Sequence, residues 1–271
     1  MSKKQFGKNE WLVLVLFGLV GQIAWSVENM YFNLFVFETV APSLTTVTLM
    51  VQLSGIAATL TTLVAGTLSD KIGNRRSFIS WGYAIWGITV AMFGFMSPEL
   101  TEKLLGCGFD KAVMITLAAV VVGDCVMTLF GSTANDAAFN AWLTDSTDAT
   151  NRGAAEGINA MMPLVSILVV FGGFMFFDLE KASSWSLIYT IIGILVTAVG
   201  VLGFFIIKEP PIQRSEESYL GGIVYGFLPK TIVANKKLYS SLLAFIIFNI
   251  SIQIFMPYLI LYYEVSLQMT N

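Results

Sequence analysis

Asp124, Thr128, Ser132, Asp136 and Asn140 recur at every fourth position within an otherwise apolar run. On an α-helix that spacing sets all five along one slowly drifting face. Asn135 lies beside them. An earlier run repeats the theme: Gln22, Ser26, Asn29 and Asn33 share a face, with Glu28 next to it. A carboxylate can accept a hydrogen bond, balance a cation or carry a proton, and an amide both donates and accepts. These residue types at this spacing therefore suit a small polar solute together with a coupling cation. The candidate binding residues are Glu28, Asn29, Asn33, Asp124, Asp136 and Asn140.

The segments that carry them are long and oily. The 271-residue chain is 56% hydrophobic and 12% charged, where a soluble domain carries about 25% charged residues. Lipid can solvate such a surface and water cannot. A membrane span needs about 20 mostly apolar residues. Seven stretches qualify: 11–37, 45–68, 78–96, 112–142, 154–177, 185–207 and 238–263. They are continuous runs, unlike the short alternating segments of a transmembrane barrel, so helices are expected. The fourth is long enough to tilt or to extend past the membrane. The expected fold class is all-α, polytopic transmembrane.

Orientation follows from Lys and Arg. With the N-terminus in the cytoplasm, twelve of the fifteen basic residues fall on the inner side, leaving Lys103, Lys111 and Lys181 outside. That asymmetry obeys the positive-inside rule. The first apolar run is too long for a signal-peptide core and is read as a retained helix. Pro210 and Pro211 are expected to end the sixth helix. The charged stretch that follows, apolar between Tyr219 and Val233, reads as a cytoplasmic linker with a surface helix. The expected division is a six-span bundle over 1–208, a linker over 209–237, and a further span within 238–271.

A charged side chain at mid-bilayer costs about 2.5–3.5 kcal/mol on insertion scales. The polar stripes must therefore face protein or a watery passage. Two readings of the stripes stay open: a solute cavity, or hydrogen bonding between helices. Glu28 likewise lies either deep, where it can exchange a proton, or at the outer headgroups. Near the inner rim, Glu156 is placed to pair with Arg152 four residues earlier, and Asp145 with Arg75 or Arg76. Asn249 and Gln253 would face the cavity from the last span. Trp11, Trp185 and Tyr262 read as interfacial belt residues.

Several function classes are excluded. The net charge of −3 offers no footprint for nucleic acid. The chain has no histidine, and so lacks the commonest general base and zinc ligand. Cys107 and Cys125 do not form a disulfide framework. No nucleotide-binding loop, metal cluster or nucleophile elbow is present. The chain is therefore not expected to be an enzyme or to hold a cofactor or metal.

Gly66-Thr-Leu-Ser-Asp70-Lys71-Ile-Gly73-Asn-Arg75-Arg76 lies between the second and third spans. It resembles the Gly-x-x-x-Asp-(Arg/Lys)-x-Gly-x-(Arg/Lys)-(Arg/Lys) loop of the major facilitator superfamily. Gly66 is expected to let two helices approach closely, and Gly73 to permit the tight reversal. The resemblance implies that Asp70 ties the two halves of the protein at their inner ends, partly against a helix N-terminus. It also implies a conformational gate formed by Gly66, Asp70, Lys71, Gly73, Arg75, Arg76, Asp145 and Arg152. Leu228-Pro-Lys-Thr-Ile-Val-Ala-Asn-Lys-Lys237 is similar to the family's stretch before its seventh span. The family usually has twelve spans, so this chain is expected to be the N-terminal bundle plus the first helix of a second half. The missing C-terminal half, or an associating chain, would complete it.

Two stretches resemble the sugar:cation symporter branches of sucrose and melibiose type. They are Trp25-Ser-Val-Glu28-Asn29-Met-Tyr31-Phe-Asn33, and Asn135-Asp136-Ala-Ala-Phe-Asn140-Ala-Trp142-Leu-Thr-Asp145 followed by Asn151-Arg152-Gly153. In those branches an acid on span four binds sugar and couples the cation, and Asp136 takes that place here. The paired span-two aspartates of the melibiose type are missing between Gly55 and Gly66, which favours H+ over Na+ as the coupling ion. The resemblance implies a secondary transporter of a sugar or glycoside in the plasma membrane. The alternatives are an efflux antiporter of the same superfamily and a seven-span component that transports nothing.

Overall fold

The computed structural model describes residues 6–210 and 224–267, and every regular element among them is helical. In chain order they are α1 (Lys8–Thr39), α2 (Leu44–Ile72), α3 (Arg75–Phe93), α4 (Pro98–Leu105), α5 (Phe109–Ser146), α6 (Arg152–Phe174), α7 (Ala182–Ile206), α8 (Pro229–Ala234) and α9 (Lys236–Leu261). α1, α2, α5, α6, α7 and α9 are each long and apolar enough to cross a membrane. α3 and α4 are long and apolar enough only as a pair, bent by 87°, so the crossings among the described residues number six, or seven with that pair taken as one span. The all-α polytopic fold expected from hydropathy is the fold observed.

α4 is an element that hydropathy does not reveal. Ser97 caps it by accepting from the backbone N–H of Leu100, and Pro98 takes the first turn. Both are favourable there because an N-cap hydroxyl satisfies an orphan donor and proline has none to lose.

Three spans are not plain α-helices, α9 running on into a π-turn segment at Tyr262–Ser266. α1 widens into a π-turn segment at Val27–Phe32, and α5 does so at Ser132–Phe139. These segments hold Glu28, Asn29, Asn135 and Asp136. A π-turn inserts an extra residue per turn and rotates the face that follows, and it is frequent at functional sites.

Packing is tightest between α3 and α7. A Cβ on Gly193 would lie 2.5 Å from the Gly87 carbonyl oxygen, and one on Gly200 would collide with the Ala84 backbone nitrogen. Small residues two turns apart thus let the two backbones touch. α1 packs on α6, and α2 on α5. Phe32, Phe35, Phe93, Trp185 and Tyr189 interlock in the half of the bundle away from the basic loops. Trp185, expected in an interfacial belt, is instead wholly buried there, its Nε1 donating to the Leu179 carbonyl at 2.8 Å. Large side chains such as Leu168 and Phe176 point outward, as lipid-facing residues do.

Two further expectations are corrected, and a third lies partly outside the described residues. Gly66 is not at a close helix contact, since a Cβ there would meet nothing within 4 Å. α7 ends at Ile206, before Pro210, because Ile207 already adopts an extended backbone. The linker and its surface helix fall partly on 211–223, outside the described residues, as do Lys3, Lys4 and Arg214; within the described part α8 leads directly into α9.

α9 is largely uncovered along its length. Its buried residues, Pro257, Ile260 and Leu261, lie at its far end, where it packs on α1.

Candidate functional site

A cavity of ≈ 340 Å³ opens between α1, α2, α5 and α9. Small-molecule sites span about 300–1,000 Å³. α1 contributes Gln22, Trp25, Glu28, Asn29, Phe32 and Asn33. α5 contributes Asp124, Thr128 and Asp136, and α9 contributes Gln253 and Pro257. α2 forms the remaining wall with Met50, Val51, Ser54, Gly55 and Ala58. The small side chains of that wall leave the room that the acids face.

Five of the six candidate binding residues meet in this cavity: Glu28, Asn29, Asn33, Asp124 and Asp136. Asn140 lies outside it. Its amide donates back to the Asp136 carbonyl at 3.1 Å, and its oxygen accepts from Asn159 at 3.4 Å. Its two polar atoms are thus taken up by its own helix and by α6 rather than by the cavity.

The carboxylates are differently held. Asp124 is only 2% exposed, and its Oδ1 has no hydrogen-bond partner among the described residues. Ser54 lies against its carboxylate. Glu28 accepts from the Thr128 hydroxyl through Oε1 at 3.2 Å, while Oε2 is buried without a partner. Asp136 accepts from the Asn135 amide at 3.2 Å. Asn135 is itself fixed by Tyr83, whose hydroxyl sits 2.7 Å from the amide oxygen and 2.8 Å from the Phe17 carbonyl. That hydroxyl has one proton to share between two acceptors. Three acids and no Lys or Arg line the cavity.

Asn29 donates to the Trp25 carbonyl at 2.8 Å, and Trp25 stacks at a tilt on Trp86. Asn33 reaches across to α9 and donates to the Pro257 carbonyl at 2.7 Å. Nearby, Tyr258 donates to Thr48 at 3.1 Å. Gln253 borders the cavity and Asn249 is not among its lining residues.

The second cluster sits at the basic end of the bundle. Gly73 takes φ 68° and ends α2 in the left-handed conformation that glycine adopts freely. The turn brings the Arg75 guanidinium, 4% exposed, between three acceptors. It donates to Ser69 and Asp70 by short contacts, and to Asp145 Oδ2 at 3.1 Å. Asp70 is half-exposed and makes this pair within its own loop. Arg152 does not pair with Glu156. Its guanidinium turns to the end of α5, donating to the Thr144 carbonyl at 2.7 Å and to the Thr147 hydroxyl at 3.2 Å. Carbonyls at a helix C-terminus lack partners of their own and attract a cation, so this site outcompetes the pairing with Glu156. Lys71 and Arg76 have exposed side chains.

Glu209 belongs to this cluster and carries no signal in the sequence. Its carboxylate accepts the backbone N–H of Arg75 at 2.6 Å and of Arg76 at 2.9 Å. The segment after α7 thereby caps α3. Ser54 was equally hidden, because a single serine among apolar residues is unremarkable until its helix is placed.

A family model described as Major Facilitator Superfamily matches residues 12–270. No curated protein and no solved structure matches the chain.

Proposed function

The chain belongs to the major facilitator superfamily and is a multi-pass membrane transporter, and on that premise we propose that it carries a sugar or glycoside in symport with a cation, by alternating access. The proton is the favoured ion, the plasma membrane the proposed location, and the cytoplasm the proposed side of the N-terminus. The six-span bundle over 1–208 and the span within 238–271 would belong to two halves that rock about the cavity, joined by the linker over 209–237.

The observation that carries this reading is the lining of the cavity. Three carboxylates and four amides meet there with no basic side chain. Such a lining repels anions, and it offers acceptors and donors for several hydroxyl groups at once. The indole of Trp25 supplies an apolar surface beside them. Sugar phosphates and organic acids fit this chemistry poorly; neutral polyhydroxy solutes fit it well.

The test is uptake of radiolabelled mono- and disaccharides into liposomes containing the protein, with and without an inward proton gradient. Gradient-driven accumulation that falls at least tenfold when Glu28, Asp124 and Asp136 are neutralised together supports the proposal. Accumulation unchanged in that triple variant removes it.

A further inference from the structure

We propose that Tyr83, on α3 and outside the cavity, is a positioning residue for solute: its hydroxyl fixes which end of the Asn135 amide meets Asp136, and so aims that carboxylate into the cavity. This rests on the transporter reading above and on Asp136 as a group that binds solute.

Three helices meet at the Tyr83 hydroxyl. Phe17 and Gly21 come from α1, Tyr83 from α3, and Asn135 from the π-turn segment of α5. Neither Tyr83 nor Asn135 lines the cavity, and they are 0% and 4% exposed. The phenol ring is held edge-on against Phe17, with ring centres 5.0 Å apart, and against Trp86 at 5.5 Å. A Cβ on Gly21 would lie 2.4 Å from the Tyr83 hydroxyl oxygen and 2.5 Å from the Asn135 amide oxygen. The glycine thus leaves the room that the pair occupies.

The hydroxyl proton has one best use. The Phe17 carbonyl lies mid-helix and already accepts the N–H four residues on. The Asn135 oxygen has no other donor among the described residues. A buried amide oxygen left unpaired is costly, so the proton goes to Asn135. An asparagine side chain has one accepting end and one donating end. With the oxygen held by Tyr83, the donating end turns to Asp136 and meets Oδ1 at 3.2 Å. Without that hold the amide is free to turn its oxygen to the carboxylate, where two acceptors repel.

Asp136 depends on this one bond. Trp25 and Ser132 also lie near its carboxylate, yet Trp25 Nε1 and Ser132 Oγ are buried with no hydrogen bond. Among the described residues Asn135 alone holds Oδ1, which leaves Oδ2 for a donor on the solute.

The experiment uses the full chain, as wild type and as Tyr83→Phe, which removes one oxygen and keeps the ring. In liposomes, exchange of radiolabelled sucrose and melibiose is measured against concentration. Tyr83→Phe is expected to raise KM at least about tenfold, the worth of a hydrogen bond to a charged group, with the maximal rate kept within about twofold. That split marks a loss of solute binding and not of the conformational step. In lipid nanodiscs, with 15N-labelled asparagine, the side-chain amide signal of Asn135 is identified by its disappearance in Asn135→Ser. Tyr83→Phe is expected to shift that signal and to leave those of Asn29 and Asn159 in place. Gly21→Ala presses on the same pair from α1; it is expected to move the Asn135 signal too, and it serves if Tyr83→Phe does not fold.

An Asn135 signal that stays put when the hydroxyl is removed overturns the proposal, whatever the sugar data. So does a Tyr83→Phe protein that exchanges sugar with the wild-type KM, or one that loses maximal rate at an unchanged KM. If the wild type exchanges neither sugar, the sugar reading fails, and the Asn135 signal alone decides whether Tyr83 sets the amide.

Discussion

Asn33 on α1 donates to the backbone carbonyl of Pro257 on α9 at 2.7 Å, and this bond lies at the end of the cavity farther from the basic loops. The Tyr258–Thr48 hydroxyl contact lies beside it. Polar contacts thus tie α9 to α1 and α2 near its far end, and the rest of the helix is largely uncovered. Pro257 lacks an N–H and sits inside a helix, a combination that commonly bends one.

If the two ends open in turn, holding this contact closed must stop transport. Thr48→Cys with Tyr258→Cys, in a background with Cys107 and Cys125 changed to Ser, gives a pair that a short cleavable thiol crosslinker can span. Crosslinking is expected to lower solute exchange at least tenfold, as arrest of a required conformational step does, and cleavage to restore it. Exchange that runs on at full rate in crosslinked protein would show that the contact does not gate the passage.

Arg75 satisfies three acceptors with one planar group, joining the end of α2 to the end of α5. Lysine has a single point charge and cannot reproduce that fork. Arg75→Lys is therefore expected to behave nearly as badly as Arg75→Ala. Because Asp70 is half-exposed and water screens it, the loss is expected at about 1–3 kcal/mol, below that for a fully buried pair. Thermal unfolding in detergent measures it. A lysine variant as stable as the wild type would refute the three-way role.

Glu209 accepts two N–H groups at the start of α3. A carboxylate at that position is favourable because it satisfies orphan donors and meets the positive end of the helix dipole. Glu209→Ala is expected to cost about 1 kcal/mol, and Glu209→Gln about half of that, since the amide oxygen still accepts. Faster amide hydrogen exchange at Arg75 and Arg76 is the specific readout; unchanged exchange there in the alanine variant would contradict the cap.

The spans, their order and the acid-bearing faces were legible in the sequence because hydropathy and the i, i+4 pattern are local properties. Gly73 was legible for the same reason, as its turn is fixed by its own backbone. Asn140 was not, because its oxygen is taken by Asn159 of α6, a partner that only the packed bundle brings near. Ser54 and Glu209 act on partners far along the chain, and only the packed bundle brings them there. Trp185 misled in the opposite sense: tryptophan at a span end suits the interface, but here an aromatic cluster and the Leu179 carbonyl compete for it and win.

The α3–α7 contact makes a stability prediction that separates packing from helix propensity. Gly200 lies in a helix, where alanine is ordinarily the better residue by about 0.5–1 kcal/mol. At this position, however, the added methyl would meet the backbone of Ala84 and Tyr83, and backbone cannot swing aside as a long side chain can. Gly200→Ala is expected to force the helices apart and to destabilise by about 1–3 kcal/mol. Gly172 in α6 is the matched control: it is also helical, and a methyl there meets nothing within 4 Å. Gly172→Ala is expected to leave stability unchanged or raise it slightly. Measured side by side by thermal unfolding, the stability of Gly200→Ala should therefore fall while that of Gly172→Ala does not. Equal shifts would mean that the close approach of α3 to α7 does not set the stability of the bundle.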